Sequence, residues 1–151
     1  MPIYLFHETN AALMVCHNCN DYAFVFEKYS EYLTDFQIGY AFQDISECNL
    51  IRNHHFWNTI LPRVKQQVLT LDRQCTQSLM MIINGAGNMQ LQDNELWEAI
   101  ESKLINEGIL KYFSIHDSAK ILFQFAYCGR GSDELIEQLE KNFIKHRKAL
   151  A

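Results

Sequence analysis

The stretch DNELWEAIESKL, residues 93–104, carries the pattern that decides the fold. Asp93 opens it with a side-chain oxygen that can accept a hydrogen bond from an unpaired N–H of a first helical turn. The apolar residues Leu96, Ile100 and Leu104 follow at intervals of four, so they lie along one face of a helix. This stretch therefore predicts an amphipathic helix that begins at Asp93 or at the next residue.

The same arrangement occurs three times, in copies offset by 40 and 39 residues. Each copy has a capping-type residue followed by apolar residues at the third, seventh and eleventh positions, and the copies open at Asn53, Asp93 and Ser132. A period near 40 is typical of stacked helical hairpins, each too small to bury its own apolar face. We therefore predict an all-α fold, a short right-handed solenoid of about three helical hairpins followed by a C-terminal helix.

The repeat also predicts the boundaries within a single domain that covers residues 1–151. The three hairpins are expected at about residues 21–50, 53–88 and 93–131, and the final helix at 132–150.

Capping and glycine residues predict where individual helices begin and end, and Thr34 or Asp35 is expected to begin the second helix of the first hairpin. Asp72 and Ser114 lie 42 residues apart and are expected to begin the second helices of two hairpins. Gly87 and Gly129, also 42 residues apart, are expected to end these helices in a left-handed conformation. Pro62 falls inside a helical pattern, where it is expected to kink or shorten the helix.

Composition places the chain among globular proteins. Of its 151 residues, 48% are apolar and 21% are charged, and only six Gly and two Pro are present, which disfavours an all-β fold. The apolar runs are too short to span a membrane. The five Cys are an odd number without the spacing of a disulfide framework, which predicts reduced thiols in a reducing intracellular compartment.

Charge is distributed unevenly along the chain. Residues 1–50 carry seven acids and one base, an excess that disfavours nucleic acid as a partner there. Basic residues gather towards the C-terminus, where they either complement a helix C-terminus or form a patch for an acidic partner or RNA. The residues of this candidate patch are Arg130, Lys141, Lys145, Arg147 and Lys148.

Aromatic residues crowd the beginning of the first hairpin, at Tyr22, Phe24, Phe26, Tyr29 and Tyr32. They are too many for one helical stripe. Two interpretations stay open: a thick aromatic core between the first hairpins, or a protein interface, where Tyr and Phe are enriched. RNA is the less favoured partner for this cluster, because base stacking is normally accompanied by cations.

The motif Cys16-His17-Asn18-Cys19 is the candidate metal or redox site. Two thiolates at this spacing can share a tetrahedral zinc, but a closed site needs two more ligands. No second C-x-x-C occurs in the sequence. We therefore interpret Cys16 and Cys19 as ordinary thiols, and we predict no catalytic residue, no metal and no cofactor.

The segment FSIHDSAKILFQFA, residues 113–126, together with LWEAI before it and GSDEL after it, resembles a family pattern. It resembles the helical repeats of mitochondrial FAST-kinase-like and RAP-domain proteins, sometimes called heptatricopeptide repeats, over about residues 53–145. The resemblance implies an all-α solenoid and a mitochondrial location, and it implies no catalytic residue. We expect no C-terminal RAP domain, since one helix follows the last hairpin.

These features predict a non-enzymatic scaffold. The expected function is that of a helical-repeat interaction subunit within a larger, mitochondrial multiprotein complex, with other protein subunits as partners and no membrane span. The alternative is an RNA-binding adaptor of the organellar helical-repeat class that uses the basic residues near the C-terminus.

Overall fold

The computed structural model describes residues 3–47 and 54–150, with side chains described over 5–47, 58–145 and 147. All regular structure in these residues is helical, so the all-α prediction is confirmed for this part of the chain. The helices are α1 (Ile3–Met14), α2 (Cys19–Tyr29), α3 (Asp35–Ile45), α4 (His54–Thr70), α5 (Thr76–Asn88), α6 (Asn94–Ile105), α7 (Ile115–Tyr127) and α8 (Asp133–Leu150). Short 3-10 helices cover Ser30–Tyr32 and Ile109–Tyr112. Among the described helices, none has the length and apolar character needed to cross a bilayer.

Side-chain caps begin several of these helices. Thr34 and Gln37 form a reciprocal capping box at the start of α3. Asp93 accepts from the N–H of Leu96 at the start of α6, and Ser114 accepts from the N–H of Asp117 at the start of α7. The predicted helix starts at Thr34, Asp93 and Ser114 are therefore confirmed. Asn53 lies outside the described residues.

Two predictions for the second hairpin, a cap at Asp72 and a helix shortened at Pro62, are wrong, and the kink offered as the alternative at Pro62 stays a prediction. Asp72 does not cap α5; its carboxylate accepts from the N–H of Gln74 in the preceding turn, and Cys75 stands at the N-cap position. Pro62 does not shorten its helix, because α4 continues to Thr70. Pro62 is exposed and has no N–H to donate to the carbonyl four residues earlier, so α4 lacks that hydrogen bond and nevertheless continues beyond it.

Gly87 does not end α5, contrary to the prediction. Gly85 and Gly87 both lie inside α5, which runs to Asn88, and both are buried. They are close-approach positions: an ideal Cβ on Gly85 would lie 2.7 Å from the Phe42 ring, and one on Gly87 would overlap the side chain of Gln124. The prediction for Gly129 is correct, since it follows α7 with a left-handed φ of 64°.

Alternate helices pack beside one another and form two rows. The first row is α2, α4, α6 and α8, and the second row is α3, α5 and α7, each helix contacting the next member of its row. The α1 helix packs on α2, and α8 also contacts α7. The predicted final helix, α8, therefore contacts both α6 of the first row and α7 of the second row. One hydrophobic core lies between the rows, and its largest fully buried side chains include Tyr22, Phe26, Phe42, Phe125 and Ile82.

The first row repeats a polar contact at equivalent positions. The tenth residue after Asn53, Asp93 and Ser132 is polar in every copy, and its side chain donates to a neighbouring element. The pairs are Arg63 Nε to the Ser30 carbonyl at 3.0 Å, Lys103 Nζ to the Leu71 carbonyl at 2.9 Å, and Asn142 Nδ2 to Ser118 Oγ at 2.6 Å. The sequence period thus coincides with a recurring hydrogen bond as well as with the apolar stripe.

Candidate interaction surfaces

The aromatic cluster of the first hairpin divides between the core and the surface. Tyr22, Phe26 and Tyr29 are buried, with the Tyr22 hydroxyl hydrogen-bonded to Asp44. Burial, followed by that hydrogen bond, raises the pKa of Tyr22 far above its ordinary value, so the phenol stays neutral. Phe24 and Tyr32 are 63% and 42% exposed. Within this cluster, only these two can present an aromatic ring to a partner, and their interface role stays a prediction.

Two stacked aromatic pairs lie exposed on the second row. One belongs to the aromatic-rich segment 22–42, for which the sequence leaves core and interface both open, and the other, on α7, was not predicted. Phe36 and Tyr40 on α3 stack with ring centroids 6.4 Å apart, and Phe123 and Tyr127 on α7 stack at 5.7 Å. The two residues of each pair are spaced i, i+4, and this spacing is the sequence feature that could have indicated that their rings meet on the helix surface. All four side chains are at least half exposed. The second row therefore presents aromatic rings to solvent at both of its ends.

A chain of amides connects the three helices of this row. Asn84 donates to Gln43 at 3.4 Å, and Gln124 donates to Asn88 at 3.1 Å. His116, Lys120 and Phe123 on α7 complete a cleft of about 370 Å³ over these amides. Gln124 Oε1 is buried and has no hydrogen-bond partner among the described residues. The amide chain holds α3, α5 and α7 in register by directional bonds.

Among the predicted basic residues whose side chains the structure describes, Arg130 is engaged away from α8. Arg130 is directed onto α6, where it donates to Asn94 at 2.7 Å and lies 6.0 Å from the Trp97 ring centroid. Lys141 pairs with Glu137 at 3.9 Å, and both are well exposed, so this pair contributes little to stability. Lys145 and Arg147 are exposed, and the Lys148 side chain lies outside the described ones.

A cleft lined by lysines lies between α8 and the 3-10 helix Ile109–Tyr112. It measures about 180 Å³, and Lys111, Lys141 and Lys145 line it together with Asn142. Lys111 was not among the residues predicted for this patch; it comes from the 3-10 helix that contacts α8. Three lysines around one cleft concentrate positive charge at this place on the surface.

Cys16 and Cys19 flank the start of α2. The Cys16 thiol donates to the Ala12 carbonyl at 3.3 Å, and Cys19 is the buried first residue of α2. Burial, with Asp21 and Asp44 nearby, raises the pKa of the Cys16 thiol to about 11, which disfavours the thiolate that binds metal. No cluster of three or more His, Cys, Asp or Glu suited to a metal occurs in the part of the chain that the structure describes.

Comparison of the sequence with protein-family models gave no match, and comparison with curated proteins gave none either. The resemblance to heptatricopeptide repeats therefore stays a prediction that rests on the quoted residues.

Proposed function

We propose that this protein is a non-catalytic helical-repeat subunit that binds other proteins within a larger assembly. Its helices would form a short right-handed solenoid of about three hairpins. The observation that carries the proposal is the exposure of stacked aromatic pairs at both ends of the second row. Exposed Phe and Tyr side chains in groups are characteristic of interface centres.

The packing of alternate helices supports the repeat architecture. Each described helix of a row contacts the next, and the tenth-position hydrogen bond recurs in α4, α6 and α8. Proteins built in this way bind partners through extended surfaces that run along a row. The assembly is proposed to be mitochondrial on the basis of the family resemblance alone, and the thiols are proposed to be reduced there.

The second candidate function is an RNA-binding adaptor. The observation that favours it is the cleft lined by Lys111, Lys141 and Lys145, which would hold a phosphate. We rank it second because Arg130 is already engaged with Asn94 and Trp97. The acidic excess of residues 1–50 also opposes a polyanion along that part of the chain.

The mass of the native particle that carries this chain tests both candidates. We expect a large particle after gentle extraction, unchanged by nuclease. A variant with Phe36→Ser and Tyr40→Ser should release the chain from it, whereas Gln66→Ser, an exposed change on α4, should not. A particle that collapses with nuclease, and is lost when Lys111, Lys141 and Lys145 are changed to Gln, would favour the RNA adaptor. A monomer of 17.7 kDa in the native extract would overturn both candidates.

A further inference from the structure

The interface between α3 and α5 shows how one helix of the second row packs against the next. An ideal Cβ on Gly39 of α3 would lie 3.0 Å from the Ser78 carbonyl of α5, and Phe42 packs against Gly85. At its end, Ser46 Oγ lies 3.3 Å from Asn88 Nδ2. The receiving face of α3 thus combines small residues with one large apolar side chain.

The second interface repeats this arrangement one helix further on. Gly87 of α5 leaves room for the side chain of Gln124 on α7, and the Cys128 thiol lies 3.6 Å from the Gly87 carbonyl. Met80 and Ile83, on the same face of α5, are buried. The receiving face of α5 therefore combines buried apolar residues with a small residue at the closest approach, and Asn84 and Asn88 beside them accept hydrogen bonds from Gln124 of α7.

The positions of α3 and α5 at which the next helix of the row packs, and the equivalent positions of α7, are named here the receiving positions. They lie five, eight and twelve residues after the residue that precedes the helix. These positions share one helix face. They are Gly39, Phe42 and Ser46 in α3, Met80, Ile83 and Gly87 in α5, and Ala119, Leu122 and Ala126 in α7.

The equivalent face of α7 has the same character but is uncovered among the described residues. Ala119 and Ala126 are exposed and Leu122 is half-buried, whereas five of the six equivalent residues in α3 and α5 are buried. Ala119 also lines the cleft over the amides, so it lies at the edge of this face. Ala119 and Ala126 are small, as Gly39 and Gly87 are, so a helix could approach α7 closely. Nothing charged lies at these three positions of α7.

The first row ends in the same way on α8. In α6, Trp97 and Leu104 are buried, and the Trp97 ring packs against Phe125 of α7, the second helix of its own hairpin. Their equivalents in α8, Ile136 and Phe143, are only half-buried, and Ile144 is 47% exposed. Both rows therefore end on an apolar face, which we name the α7/α8 end face and define by Ala119, Leu122, Ala126, Ile136, Phe143 and Ile144.

We propose that the α7/α8 end face binds a helical hairpin of a partner protein, which continues both rows. The partner helix on α7 would be amphipathic and uncharged at its centre. The helices that fill the equivalent faces are uncharged there: α5 places Ser78 and Gly85 against α3, and α7 places Gln124 against α5. Continuity of the rows supports this occupant, because the equivalent faces of α3 and α5 are each filled by an amphipathic helix of this chain. The inference rests on the proposed function and adds to the exposed aromatic pairs a second surface, at the other end from Phe36 and Tyr40, where a partner binds.

Charged residues introduced on the α7/α8 end face of the full-length chain test the proposal. The variant A119R/A126R puts cations on the α7/α8 end face, and Gln66→Arg with Gln77→Arg adds the same charges at exposed positions elsewhere. We expect the first variant to lower the share of the chain in the native particle by about tenfold or more, the effect of unpaired charge in an interface. The control should stay in the particle, and both should unfold at the temperature of the unmodified protein.

Cross-linking identifies the occupant. A photoreactive residue at position 126 should cross-link to an amphipathic helical segment of a different polypeptide, identified by mass spectrometry, and one at position 77 should not. Cross-links to a second copy of this chain, or none above those from position 77, would overturn the proposal. If the particle persists with A119R/A126R, the site is wrong and the proposed function stands; if the unmodified chain forms no particle, the proposed function fails as well.

Discussion

Gly85 of α5 packs directly against Phe42 of α3: an ideal Cβ at position 85 would lie 2.7 Å from Cδ2 of the ring. Phe42 is fully buried, and the same Cβ would lie 3.1 Å from the Phe42 carbonyl oxygen, so the close contact involves the main chain as well as the ring. Glycine inside a helix normally costs stability relative to alanine. Here it permits the close approach of two helices, and this contact fixes the spacing of the second row.

Gly85→Ala should therefore lower stability, although alanine is the better helix former. We expect a loss of about 1–3 kcal/mol in the free energy of unfolding, the usual range for overpacking a core. Denaturant unfolding followed by circular dichroism measures it. The matched control is Gln77→Ala on the exposed face of the same helix, which should be neutral or slightly stabilising. A gain of stability in Gly85→Ala would contradict the packing described at this position.

Local signals in the sequence predicted the helices themselves. Thr34, Asp93 and Ser114 cap helices as expected, because a capping side chain acts on the N–H groups two or three residues ahead of it. The role of Gly87 could not be predicted in this way. A glycine that ends a helix and a glycine that admits a neighbouring helix look alike in sequence, since both positions require only the absence of Cβ.

The sequence also could not predict which residues of the aromatic cluster are buried and which are exposed. Tyr22 and Phe24 are two residues apart, yet Tyr22 is buried and Phe24 is 63% exposed. The helical period separates their directions, but it does not say which face of α2 meets α4. That choice is made by tertiary packing, which one sequence does not encode in any local pattern.

Lys103 should be the most important cation for stability among the described residues. It is 5% exposed, and its ammonium donates to the carbonyls of Leu69 and Leu71, at the C-terminal end of α4, and pairs with Glu107 at 3.0 Å. Lys103→Met keeps the apolar stem but leaves these carbonyls without their donor. We expect a loss of about 2–4 kcal/mol, since each hydrogen bond to a charged group contributes about 1.5–3.

Thermal and denaturant unfolding of Lys103→Met check this expectation. Lys120→Met, an exposed change on α7, is the control and should change the free energy of unfolding by less than about 0.5 kcal/mol. Equal stability of the two variants would show that the Lys103 ammonium does not cap α4.

Stability should fall in alkaline solution, and the Cys16 thiol contributes to that fall. Burial raises its pKa from 9.0 to about 11, so the folded protein holds this proton more tightly than the unfolded chain. The contribution is complete below pH 9, declines as the pH rises from 9 to 11, and changes no further above that. Unfolding measured across this pH interval should show a steeper loss in the unmodified protein than in Cys16→Ala.

The same shift makes Cys16 slow to react with alkylating reagents near neutral pH, because the thiolate is the nucleophile. The rate of iodoacetamide modification should keep rising up to about pH 11. Rapid alkylation at pH 7 would contradict the burial of this thiol.

Ser118 and Asn142 should be energetically coupled. Both are buried, and Asn142 Nδ2 donates to Ser118 Oγ at 2.6 Å between α8 and α7. Either change to alanine leaves the other polar group buried without this partner, at a cost of about 1–3 kcal/mol. The double variant removes both groups, so its loss should be smaller than the sum of the single losses by about 1 kcal/mol. Additive losses in this double-mutant cycle would mean that the two side chains do not interact, and that α8 is held on α7 by its apolar contacts alone.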